Sequence, residues 1–147
     1  MKKNAFTMIE IVFVIVILGI LAAIAIPKFA VTRTDAQVAK GRSDIAAIRS
    51  AILSERQSRI VKGETGWISG LSDNTTTLFT GDEQNLLLYG IKSGNKSGEW
   101  YTTDSDEPFI HYSFKINDTA CAFTYDANSG KFELNENQDA ICDKLVE

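Results

Sequence analysis

The sequence predicts an α+β protein in which one long N-terminal α-helix, transmembrane in its first half and amphipathic in its second, packs on a small antiparallel β-sheet. Three observations carry that expectation. Residues 11–26, IVFVIVILGILAAIAI, hold no charged or polar side chain. Beyond them Val31, Val38, Ile45 and Ile52 recur every seven residues, a helical stripe to which Ile48 adds an intermediate contact. From residue 110 onward the apolar positions alternate instead, which is the period of a half-buried strand.

The elements follow in chain order. Across 6–30 the only charges are Glu10 and Lys28. At ~1.5 Å per residue such a run makes a helix of ~38 Å, longer than the ~30 Å apolar core of a bilayer. Lys2 and Lys3 precede it with no acid beside them, so the positive-inside rule places the N-terminus in the cytoplasm and sends the body outward. A cleavable secretory signal competes for the same features, with Ala23-Ile24-Ala25 as its cleavage site. The length of the apolar run and Glu10 near its start weigh against it.

The amphipathic half is expected over 31–62 and should pack on the body. Gly41 is a weak point in it, and Gly63 and Gly66 end it. Pro27 removes the hydrogen bond to the Ala23 carbonyl and should bend the helix. The rest, 63–147, reads as a head of turns and short strands. Glu64–Ser97 is loop-rich, with one short helix or strand expected over Gln84–Ile91. Ile110, Tyr112, Phe114 and Ile116 then share one face, followed by Cys121, Phe123 and Tyr125, and by Phe132 and Leu134. Asp126-Ala127-Asn128-Ser129-Gly130 supplies the hairpin turn before the last strand, and an antiparallel meander results.

Composition narrows the function. The single histidine, His111, alternates with the apolar set of its strand and has no nucleophile paired with it in the pattern, so the chain does not read as an enzyme. No cofactor is expected. Asp104-Ser105-Asp106-Glu107 offers closely spaced hard oxygens, but a solvated acidic loop is the preferred reading over calcium. A net charge of −4 argues against general nucleic-acid binding. Two cysteines in an exported body favour a bridge between Cys121 and Cys142.

Glu10 is the residue that greasiness alone does not explain, since an acidic residue near the centre of a bilayer costs ~2.5–3.5 kcal/mol. The order Lys-Lys-x-Ala-Phe-Thr-Met-Ile-Glu followed by an unbroken apolar helix resembles the N-terminal signature of type IV pilins and type II secretion pseudopilins. The resemblance covers about the first thirty residues. It implies a leader of residues 1–5, a peptidase cut between Ala5 and Phe6, and N-methylation of Phe6. It also implies a transmembrane and assembly helix over 6–30 and an assembly role for Glu10. The family usually has Gly before the cut, where this chain has Ala5. Pro27 stands where the family commonly places a proline, and Gly19 to Pro27 corresponds to a stretch that unwinds in assembled filaments. A C-terminal loop closed by Cys121 and Cys142 is likewise similar to many pilins.

The function so implied is a structural subunit, polymerised into a type IV pilus or a secretion pseudopilus. Its partners would be further copies, other pilin-like subunits, a prepilin peptidase and methylase, an inner-membrane assembly platform and membrane lipid. A monomeric, signal-anchored periplasmic binding domain is the alternative. Charge is divided along the chain: 28–62 carries +5, and 63–147 carries five lysines against fifteen acids, or −10. Arg42, Arg49 and Arg56 repeat at seven, so basic stems are expected to meet the acidic heads of neighbouring subunits.

Overall fold

A computed structural model describes residues 6–81 and 86–147, apart from the side chains of Pro27 and Ala30. The first helix, α1, runs Met8–Val61. Six strands and a short helix follow: β1 (Thr77–Leu78), β2 (Ile91–Lys92), β3 (Trp100–Thr102), β4 (His111–Ile116), β5 (Thr119–Asp126), β6 (Lys131–Leu134) and α2 (Ala140–Asp143). Strands β3-β4-β5-β6 form an antiparallel meander in that order, and β1 and β2 pair separately. Contacts divide the chain into two compact units, one ending at Asp35 and one of Ala36–Glu147.

In the first unit α1 is apolar and uncovered. Every large apolar side chain from Met8 to Val31 among the described residues is at least 40% exposed. Val31 belongs with these: it is 63% exposed, so the buried heptad stripe starts at Val38, one repeat later than the spacing suggests.

In the second unit Val38, Ile45, Ile48 and Ile52 are buried in one core with Tyr112, Phe114, Ile116, Cys121, Phe123, Tyr125 and Phe132 of the sheet. The alternation in β4, β5 and β6 therefore points the expected residues at the helix, while Ile110 and Leu134 lie half-buried at its margin. Gly41 lets α1 come this close. A Cβ built there would stand 2.5 Å from Leu145 Cδ2 and 2.8 Å from Phe114 Cε1. What reads in sequence as a weak helical residue is a packing requirement.

The centre of the core comes from the region that reads as loop. Trp100 on β3 is fully buried, with ring centroids 5.1–6.0 Å from Phe79, Phe114, Phe123 and Phe132. Its indole Nε1 donates to Asp44 Oδ2 at 3.0 Å, which satisfies the one polar atom of the side chain. Phe79 is buried beside it at a φ of +62°, a conformation uncommon for a bulky residue, and its amide donates to Ser72 Oγ at 2.9 Å. Of the short element expected over Gln84–Ile91, residues 84 and 85 lie outside the described residues, and Ile91 begins β2.

The arginine stripe has a different use from the one its spacing suggests. Arg42 Nε donates to the Lys144 carbonyl at 2.5 Å, Arg49 Nε to the Phe132 carbonyl at 3.0 Å, and Arg56 Nη1 to the Gly66 carbonyl at 2.7 Å. Arg56 also lies 5.1 Å from the centroid of the Trp67 ring. Heptad spacing puts the three on one side of α1, where each ties down a different segment of its own head.

The C-terminus is strapped to β5. Cys121 and Cys142 form a disulfide with Cα atoms 5.4 Å apart. Asp139 caps α2 by accepting from the Ile141 amide, and the Gln138 side chain accepts from Ala122 N and donates to Ala122 O, both at 2.7 Å.

Candidate assembly site at the helix N-terminus

The start of α1 is built from two polar residues in an apolar run. Thr7 Oγ1 accepts from the Glu10 amide at 3.4 Å, while Glu10 Oε2 accepts from the Thr7 amide at 3.3 Å. That is a reciprocal capping box, the pattern a Thr-x-x-Glu spacing permits, and it satisfies two amides that the first turn otherwise leaves without partners. The Thr7 hydroxyl also lies 3.4 Å from Glu10 Oε2. The spacing was present in the sequence, but attention to the membrane cost of Glu10 alone passes over Thr7.

One carboxylate oxygen of Glu10 is thus committed to its own helix, and the second has no partner among the described residues. Around it Phe6, Met8, Ile9 and Phe13 are 64–82% exposed. The helix N-terminus contributes a partial positive charge that favours an anion in the first turn. The arrangement presents an acceptor to a cation brought from outside, within a surface that is otherwise entirely apolar.

The remaining residues singled out in the sequence take these places. Phe6 immediately precedes the cap; Ala5 lies outside the described residues. α1 is continuous through Gly19 and Pro27, and a Cβ at Gly19 would meet nothing within 4 Å. Cys121 and Cys142 are joined, far along the chain from this site. Asp104 faces inward on its own hairpin, accepting from the amides of Ile110 at 2.7 Å and His111 at 2.8 Å and lying 2.8 Å from His111 Nδ1. Burial raises its pKa, but the His111 and Ile110 amides and the His111 ring together hold it below the usual value. No three His, Cys, Asp or Glu side chains among the described residues converge as metal ligands.

Residues 1–26 match the prokaryotic N-terminal methylation motif. Over that segment the chain is similar to the type IV pilin and pseudopilin family. It is 33% identical over 88 residues to a fimbrial protein of Pseudomonas aeruginosa, covering 60% of this chain and 54% of that one. It is 47% identical over 51 residues to the type IV narrow pilus major component PilA5 of Thermus thermophilus, covering 35% of this chain and 44% of that one. It is 43% identical over 51 residues to the type II secretion system core protein G of Pseudomonas aeruginosa, covering 35% and 36%. The chain thus matches about half or less of the length of these relatives. No solved structure matches it.

Proposed function

We propose that the chain is a filament subunit: held in the inner membrane by residues 6–30, cut between Ala5 and Phe6, N-methylated on Phe6, and polymerised through its N-terminal helices into a type IV pilus or secretion pseudopilus. The observation that carries this reading is the uncovered apolar half of α1. Among the described residues nothing buries the membrane-length window within it, an apolar surface suited to lipid or to other helices. A monomeric anchored domain would use the apolar surface and the Oε2 cap but would leave the second carboxylate oxygen of Glu10 without a role.

In this reading Glu10 serves twice. Its Oε2 holds the cap of its own helix, and the other oxygen receives the Phe6 amine of a neighbouring subunit, which cleavage has freed. Each charge alone is costly in an apolar surround, so pairing fixes the axial register of one subunit on the next. Gly19 and Pro27 bound the stretch that unwinds when helices pack. The body is periplasmic before assembly, and the partners are further copies, other pilin-like subunits, the prepilin peptidase and methylase, the assembly platform and lipid.

The test is the mass of the mature N-terminus together with Glu10→Ala. A chain beginning at Phe6 with one added methyl is expected for both proteins, with filaments recovered only from the parent. A mature chain beginning at Met1 would overturn processing, and normal filaments from Glu10→Ala would overturn the register role.

A further inference from the structure

Once the arginines are assigned to the subunit's own carbonyls, the head must be reconsidered as a charged object in itself. Its five lysines are unevenly placed. Lys92, Lys96 and Lys115 gather about the 92–99 segment beside the edge strand β3, with Lys115 Nζ 3.3 Å from the Asn95 carbonyl, and Lys40 of α1 reaches the Gly98 carbonyl at 2.9 Å. Of the acids nearby, Asp44 is paired with Lys40, and Glu99 is turned onto the Lys96 amide. Asp118 in the β4–β5 turn is the exposed exception. Lys92, Lys96 and Lys115 have no carboxylate partner among the described residues. A few residues before Lys92, Leu88 and Tyr89 are each 88% exposed.

At the opposite edge of the same sheet the balance reverses. The outward face of β5 and β6 forms an open groove of ≈440 Å³ lined by Asp126, Glu133 and Glu136 against one lysine, Lys131, with Leu134 at its margin. Lys131 lies 3.5 Å from Glu133. Hydrogen bonds from Ser129 and Asn128 hold the Asp126 carboxyl below its usual pKa. The two edges are three strand spacings apart, ~14 Å.

We propose that the β3 edge of one head, with Lys92, Lys96, Lys115 and the exposed pair Leu88-Tyr89, docks on the β5–β6 groove of a second copy of this chain. A contact between two different patches is head-to-tail and leaves a free patch of each kind at the two ends, so it propagates into an open chain instead of closing a dimer. The lysines meet Asp126, Glu133 and Glu136, and Leu88 and Tyr89 supply apolar area at the centre. The inference rests on the filament reading above and names the surfaces by which neighbouring heads meet.

The experiment is charge reversal in the full-length chain with sheared filaments as the readout. The variants are Lys92→Glu with Lys96→Glu, Glu133→Lys with Glu136→Lys, and all four together. Each pair alone is expected to lose filaments while keeping the Cys121–Cys142 bridge and the parent's melting temperature, and the fourfold variant is expected to recover them. Filaments at parental level from either pair, or no recovery in the fourfold variant, would overturn the docking and leave the filament reading intact. Loss from the lysine pair alone would assign the lysines to a different partner, such as anionic lipid, and would equally overturn it. A parent that yields no filament at all would overturn the filament reading as well.

Discussion

Gly41→Ala separates two physical expectations by sign. Helix propensity alone makes the substitution stabilising by ~1 kcal/mol, because Gly is the poorest ordinary residue in a helix interior. Packing makes it destabilising. The added methyl would stand 2.5 Å from Leu145 Cδ2 and 2.8 Å from Phe114 Cε1, and Phe114 is fully buried under α1. Relieving those contacts means displacing the C-terminal segment or shifting the helix, and overpacking of this kind costs ~1–3 kcal/mol. We expect a net loss of ~1 kcal/mol, seen as a melting temperature lower by about 4 °C for a unit of this size. The assay is thermal unfolding of the full-length chain in detergent with the disulfide intact. In the Leu145→Ala background, where the closest atom has gone, Gly41→Ala should cost less than in the parent. A raised melting temperature for Gly41→Ala in the parent, or equal effects in both backgrounds, would refute the close-packing argument.

Three further outcomes follow from the same contacts. Changing Arg42, Arg49 and Arg56 together to Gln removes three hydrogen bonds to head carbonyls and should lower subunit stability by ~2 kcal/mol in chemical denaturation, whether or not filaments form. Cys121→Ser should expose a titratable thiol at Cys142 and cost ~3 kcal/mol, read as a lower melting temperature in oxidising buffer. Asp104 has a folded pKa below its unfolded value, so its contribution is present above the unfolded value and is lost as pH falls through the folded one. Stability measured against pH should therefore fall on the acid side, and Asp104→Asn should flatten that limb.

Helix and meander were legible because both rest on long, simple periods. Seven-residue spacing identifies Val38, Ile45 and Ile52, and alternation identifies Tyr112, Phe114, Phe123 and Phe132, without any knowledge of their partners. Trp100 and Phe79 escaped that logic. β3 has three residues and β1 two, too short for a period, and the aromatic and β-branched run Trp100-Tyr101-Thr102 is the only local sign of a strand there. The arginine stripe was legible as geometry but not as chemistry. Spacing places three guanidinium groups on one side of a helix, yet backbone carbonyls are invisible in sequence, so the acidic total of the head drew the expectation toward neighbouring subunits. Thr7 shows the reverse case: the capping spacing stands in the sequence, but its neighbours made a membrane argument dominant.

Gln138 has a bearing on how the head avoids the wrong kind of polymer. β6 ends at Leu134, and past that point β5 would present the amide and carbonyl of Ala122 to any extended segment that came by. The Gln138 side chain occupies both groups, and the Asn135 amide donates to the same carbonyl at 2.9 Å. A side-chain amide carries the donor and acceptor of a peptide unit but has no chain to continue, so it closes the ladder without extending it. Fibrils grown by strand upon strand are thereby denied a template at this part of β5. At Ala122 an approaching segment meets a side chain and not an open backbone ladder.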